Sequence, residues 1–431
     1  MKLKYLIAII TFFTFAIFVD AQTQKKEITE TWLCGVRGDS IIATLDNGLL
    51  HIRGAGSMQN YSLAYTAPWN KYRHVIVEIN IEKGIENIGN YAFWGCSSLT
   101  TITMPEDSIY TIGNYAFYDC GKLDSIAIPQ SVTTIGHFVF YGCSSLRYID
   151  LPEDLTFIGA NAFFGCSRLQ RVNIPYHINV VGDNMFYGCS SLTTVDLSYR
   201  IEYIGDKAFY GCTNLESITI PGAVKEIGIS AFQNCNNLSE VYFNAYNCSN
   251  YPTSTDDHPF RGCTSLSTVI IGDSVMRVPA YAFYNCSGVT SLTIGQRVVY
   301  IGDYAFSGCS GVREITIPDF TRRIGDYAFA GCSGIDSIVI PPAVTIISRG
   351  MFSGCTNLRS LEISEGVVSI SSRAFEGCTG LRTVMLPKTV VTIGRRAFYN
   401  CSNLAGIYFS IQRDSRIIRV FGLNIHLMNR V

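Results

Sequence analysis

The chain is 431 residues long, carries a formal net charge of −1, and is 48% hydrophobic with only 16% charged residues. A chain so nearly neutral has no basic excess to draw it to nucleic acid or to an anionic membrane, so neither is an expected partner. Its length would ordinarily suggest two or three domains, an inference that an internal repeat removes.

Residues 1–21 read as an export signal. Lys2 and Lys4 precede an uncharged apolar run from Tyr5 to Phe18, and Val19-Asp20-Ala21 sets small residues at −3 and −1 of a cleavage point before Gln22. The run is short for a membrane span of about 20 residues. No cysteine follows the cleavage point to take a lipid, and no second hydrophobic segment occurs. The expected location is therefore secreted or cell-surface, with no transmembrane segment after cleavage.

Residues 22–75 do not repeat and are expected to cap the first coil. Asp46-Asn47-Gly48 lies between Ile41–Leu45 and Leu49–Ile52, a strong hairpin signal. Trp32, Trp69 and Tyr72 supply bulk to cover the open end. Arg37-Gly38-Asp39, a tripeptide that engages integrins on a tight turn, here leads into a cap strand and reads as a chance occurrence.

Residues 76–410 hold the repeat. Fourteen Phe-x-x-Cys steps run from Cys96 to Cys401, spaced by 23 residues eleven times, by 24 once and by 28 once. A short fixed period over three quarters of a chain is the signature of a solenoid. In each period a Leu-x-x-Ile-x-Leu/Ile stretch alternates like a half-buried strand and Pro often ends it, as at Pro152, Pro318 and Pro341. The Ala-Phe-x-Gly-Cys stretch reads as a single helical turn. Asn90, Asn114, Asp183, Asp206, Asp303 and Asp326 stand where its N-caps would be. The residue before every repeat cysteine is Gly, Asn or Asp, which predicts a left-handed backbone there. The fold class is thus a repeat solenoid: a curved array of about 14 coils, with a parallel β-sheet on one face and short helical turns on the other. The phenylalanines should stack as an internal ladder.

Sixteen cysteines in an exported chain ordinarily suggest disulfides. Equivalent positions on adjacent coils, however, have parallel Cβ vectors about 4.8 Å apart, beyond the roughly 3.8 Å that a bridge prefers. A ladder of buried thiols is the expected reading, and a line of cysteines cannot form a zinc tetrahedron. An irregular coil with an insertion spans 244–262 and holds Cys248, Asp256, Asp257 and His258. These are the nearest approach to a ligand cluster, and they are expected to be a solvated loop with no metal. Residues 411–431 lose the period and form a tail or C-terminal cap.

The outward position between the last two core residues of each strand is usually polar. Tyr242, Ile270, Val339, Met385 and Tyr408 break that rule, and Arg313, Arg359 and Arg382 flank them. Aromatic and arginine-rich patches suit recognition, although β propensity alone would also select several of these residues. These eight are the candidate partner-binding residues.

The run Ile-Gly-Asp-Tyr-Ala-Phe-x-Gly-Cys-Ser-x-Leu-x-x-Ile-x-Ile-Pro, met almost throughout in Ile301–Pro318 and Ile324–Pro341, resembles the BspA-type leucine-rich repeat of bacterial cell-surface proteins. The segment from Leu45 to Trp69 resembles the region that precedes such repeats. The resemblance covers about residues 33–410. It implies an adhesion protein binding host matrix proteins, other cell-surface proteins or glycans, and it brings no catalytic residues. The chain ends soon after its last coil without the anchoring domain of many relatives.

The reading is an exported surface binding and adhesion protein that recognises a protein or glycan through the strand face. The alternative is a structural surface-coat or spacer protein without a defined small ligand. The six histidines occupy unrelated coil positions, and no nucleophile–base set, metal spacing or phosphate loop appears. No enzyme activity, cofactor or metal is therefore expected.

Overall fold

The computed structural model describes residues 28–36, 40–248 and 255–409, and the backbone of the pair 418–419. The signal segment, Arg37-Gly38-Asp39 and most of the C-terminal tail lie outside the described residues. With coils numbered 1 to 14 by their ladder cysteines, Cys96 to Cys401, each coil has three sides. In most coils these are a strand of three or four residues after the cysteine, a two-residue strand ending on the Ile of Ile-Gly or its equivalent, and a corner of tight turns between the two.

The first side is the expected parallel sheet. Ile126 pairs in register with Ile149, Val172 with Val195, and Val241 with Val269. Alternate residues point inward, as in Ser291–Ile294, because the sequence alternates there. The strand face is hydrogen-bonded in groups that break after Thr101–Thr103, Thr194–Asp196, Ser291–Ile294 and Ser360–Ile363; the third break falls at coil 10, which carries no strand over residues 313–317. The second side is a further parallel sheet that the repeat pattern did not foretell. Its strands are β-branched or aromatic pairs such as Thr134–Ile135, Val180–Val181 and Tyr203–Ile204, in register from coil to coil.

The turn corner corrects the expectation of helical turns. In coil 1 the amides alternate: those of Tyr91, Phe93 and Gly95 donate to carbonyls of coil 2, while those of Ala92, Trp94 and Cys96 close tight turns within coil 1. Two left-handed residues make this alternation possible. One is the predicted position before each cysteine, where all fourteen residues have positive φ. The other is the residue four before it, including Tyr91, Tyr115, Phe138, Asn161 and Arg396, with φ of 51 to 60° wherever it is positive. A helix would leave its amides within the coil. Here half of them stitch neighbouring coils together. Among the described residues the one helix is a single 3-10 turn, Asn70–Tyr72.

The Asn/Asp positions read as N-caps also prove to be inter-coil bridges. Asn90 Oδ1 accepts the amide of Asn114 at 2.7 Å, and Asn114 Oδ1 accepts that of His137 at 2.7 Å. Asp183 serves Asp206, Asp206 serves Ile229, Asp303 serves Asp326 and Asp326 serves Arg349. Each side chain bonds to the same position in the next coil, because no helix start exists there to cap.

Inside, Phe93 to Phe398 stack in an unbroken ladder with ring centroids 5.1–5.8 Å apart. Phe232 meets Phe260 at 5.1 Å, so the long coil 8 expels its extra residues without a gap in the core. The cysteine ladder consists of buried thiols, as expected. Packing is half of its role. In twelve of the fourteen coils the thiol donates to the phenylalanine carbonyl of the preceding coil at 3.1–3.3 Å.

At the N-terminal end Ile41–Asp46 and Leu49–Gly54 form the antiparallel hairpin, turning at Asn47 and Gly48 with φ of 47 and 97°. Leu49–Ile52 then pairs in parallel with Glu78–Ile81, which starts the strand face. Trp69 is fully buried, lies 6.0 Å from Phe93 and donates its indole N–H to Ala92 O at 2.8 Å. At the other end, Ile418–Arg419 runs antiparallel to Tyr408–Phe409.

Candidate functional site

The strand face carries all eight candidate residues but does not gather them into one patch. Tyr242 and Ile270 are in-register partners on coils 7 and 8, both half-buried, between Thr219 and Thr293. The Tyr242 hydroxyl donates to Glu240 Oε2 at 2.8 Å, and that carboxylate holds the phenol above its ordinary range. Two polar coils then intervene, including the strandless coil 10.

The second group lies on coils 10 to 14. Val339 is 51% exposed and faces Glu362; Met385 is 44% exposed and pairs with Tyr408 on the last coil. Arg313, Arg359 and Arg382 occupy one equivalent position on coils 10, 12 and 13, with Asp336 in the same position on coil 11. The column is tied by backbone bonds: Arg359 N donates to Asp336 O at 2.8 Å and Ala405 N to Arg382 O at 2.8 Å. All three arginines are exposed. Adjacent coils stand about 4.8 Å apart, so the guanidiniums, Val339, Met385 and Tyr408 share a strip four to five coils long.

The insertion departs from expectation. His258 is buried, not solvated, and desolvation, aided by Arg261 and opposed by Asp256, pushes its pKa down to about 4. It stands beside the Tyr284 ring, edge to face at 5.6 Å. Cys248 is buried as well, and burial raises its thiol to about 12. Among the described residues no group of three or more His, Cys, Asp and Glu converges to hold a metal ion, and no helix is long and apolar enough to cross a membrane.

Two surface features escaped the repeat reading. A hollow of about 550 Å³ opens on the second sheet of coils 3 to 7, where Phe157, Val180 and Tyr203 are exposed beside Asp183, Asp206 and Glu226. On the turn corner, Trp94, Tyr118, Tyr141, Phe164, Tyr187 and Tyr210 form a second stacked ladder. Its centroids are 6.4 Å apart at the first step and 4.5–4.7 Å thereafter. Reading the residue after each core Phe as a column is the signal that finds it.

The comparisons with known proteins agree with this architecture. The family model described as BspA type leucine rich repeat region, six copies, matches residues 71–192, 158–290, 243–359 and 276–405. A leucine-rich repeat protein from Bacteroides ovatus is 29% identical, with a TM-score of 0.55, over 86% of this chain and 99% of that one. A leucine rich cell surface protein from Faecalibacterium prausnitzii is 23% identical, with a TM-score of 0.36, over 91% of this chain and 97% of that one. No curated protein matches. Since the family model spans most of the coils whose register, thiol ladder and turn corner are described above, the chain belongs to the BspA-type leucine-rich repeat family.

Proposed function

We propose that this chain is an exported surface protein that binds and adheres to a protein or glycan partner through the C-terminal half of its strand face. The observation that carries this reading is the strip on coils 10 to 14. There Met385 and Val339 stay exposed, Met385 and Tyr408 pair in register, and Arg313, Arg359 and Arg382 stand alongside. Large apolar, aromatic and arginine side chains presented on a strand face make good anchors, because they bury much area and the guanidinium offers a planar fork of donors. Tyr242 and Ile270 form a separate, smaller contact in this reading. Family membership supports a role in protein interaction, and the basic, apolar N-terminal segment supports export. No catalytic step belongs to the reading.

The test is binding of the folded chain to an array of extracellular matrix proteins and glycans, with Met385→Ser/Tyr408→Ser compared with Tyr242→Ser. The first variant is expected to lose tenfold or more in affinity for any partner bound, about 1.4 kcal/mol or above. The second should lose less. Unchanged affinity in a folded Met385→Ser/Tyr408→Ser variant removes this face from consideration. Concentration-dependent growth of the particle in light scattering, with no partner bound, favours the coat-protein alternative.

A further inference from the structure

The corner between the second sheet and the turns carries a recurrent acceptor up to coil 11, interrupted by apolar residues at Ala160, Ile229 and Ala280. The residue after Ile-Gly supplies an acceptor for the next coil from Asn90, Asn114, Asp183, Asp206, Asp303 and Asp326. In coils 12 and 14 this position is Arg349 and Arg395, which have no acceptor to offer. The next residue is left-handed, and aromatic or Asn in most earlier coils. In coils 13 and 14 it is Arg373 and Arg396, with φ of 60 and 59°. Arg322 and Arg323 stand on the same side of coil 11. Each of the last three coils thus sets at least one arginine at these two positions, which are acidic, amide, aromatic or apolar in most earlier coils; a departure repeated in favour of one cation is a mark of function.

These six arginines line two adjoining hollows. One, of about 520 Å³, lies over coils 11 to 13, and the other, of about 210 Å³, lies over coils 13 and 14. Two carboxylates are set among them: Asp326, whose Oδ1 is engaged by the Arg349 amide, and Glu376, 3.5 Å from Arg373. Three of the cations are also ordered by aromatic rings, which leave their charge in place. Arg323 lies over Tyr300 at 5.5 Å, Arg349 over Tyr327 at 5.8 Å and Arg396 over Tyr399 at 5.1 Å. The Nε of Arg396 is buried with no hydrogen-bond partner among the described residues.

We propose that this arginine corner is a second binding site, separate from the strand face, and that its ligand is an anionic polysaccharide bearing sulfate or carboxylate groups. The hollows suit sugar hydroxyls and acid groups, since apart from Ile346 their walls are Arg, Ser, Thr and Asp. A protein segment would find few apolar seats for anchors. A nucleic acid would find no free ring face for base stacking, because arginines and neighbouring rings cover Tyr300 and Tyr327. Arg349 and Arg395, two coils apart, stand about 10 Å from each other. That spacing engages successive charges along a chain and not a single small ion.

The experiment measures binding of the full chain to immobilised heparin, polygalacturonate and a single-stranded DNA oligonucleotide of equal charge, across a sodium chloride series. Heparin should bind at physiological ionic strength and weaken as salt rises. Arg349→Asn/Arg373→Asn/Arg396→Asn should lower heparin affinity at least tenfold, while Lys122→Asn, at an exposed cation on coil 2 outside this corner, should leave it unchanged. Asn already occupies the left-handed position at Asn161 and Asn184, and Arg349→Asn returns an acceptor to the column. That single variant should melt at the same or a higher temperature while binding more weakly, which misfolding cannot mimic. Binding of polygalacturonate as well supports the proposal and makes carboxylate sufficient; binding of heparin alone supports it and identifies sulfate. Failure of both glycans to bind, unaltered affinity in the folded triple variant, or tighter binding of the DNA overturns it.

Discussion

The thiol of Cys189 donates to Phe163 O at 3.2 Å, and the same carbonyl receives the amide of Cys166 at 3.1 Å. A cysteine is small enough to sit under the phenylalanine stack and long enough to reach back one coil, a pairing of size and donor that valine and alanine lack. Burial raises these thiols, to about 12 at Cys96 and Cys332, so the thiolate needed for disulfide exchange is suppressed. Cys189→Ala should cost about 1–3 kcal/mol through the lost bond and the cavity, measured by denaturant unfolding. Alkylating reagents should leave the native ladder unmodified and label it fully once unfolded. The cysteine spacing foretold a non-bridged ladder. The bond that each thiol makes depends on where the preceding coil aims its carbonyl, which the spacing does not carry.

At the scale of one coil, the left-handed residue before each cysteine was legible because only Gly, Asn and Asp occur there. Its counterpart four residues earlier was not, since Tyr91, Lys207 and Arg396 are side chains that seldom signal positive φ. Cooperation between coils holds most of them there: the amides of Tyr91 and Lys207 reach the neighbouring coil, and Tyr91, Tyr115 and Phe138 stack at 4.5 and 4.7 Å. The Asn/Asp column was visible in the sequence but assigned to helix caps, because a single coil read in isolation offers no other donor. Coil 4 tests the corrected role. Ala160 interrupts the column and offers Asp183 no acceptor. Ala160→Asn should therefore stabilise the chain by about 0.5–1.5 kcal/mol, seen as a higher midpoint in urea. A neutral or lower midpoint would return these residues to a purely local role.

For the whole molecule, coils contact only their neighbours, so stability is a sum of local terms and the ends are where opening begins. Trp69 closes the N-terminal end of the phenylalanine stack through Phe93, Trp32 and the Ala92 carbonyl. Trp69→Ala should cost about 3–5 kcal/mol in the first coils. Hydrogen exchange should show protection lost there and retained beyond coil 8; uniform loss would mean that the stack unfolds as one unit. The sequence alone determined the number of coils, the inward faces, the hairpin and the thiol ladder, because each rests on a residue type recurring at a fixed interval. It also singled out Tyr242, Ile270, Val339, Met385 and Tyr408 as exceptions to an outward polar rule. Only the tertiary structure decided that coil 10 parts them into two groups, that a second sheet exists, that His258 is buried, and that six arginines from four coils share one corner. Those outcomes depend on which residues stacking brings side by side across 23 positions, and a linear chain does not display that adjacency until its coils are laid in register.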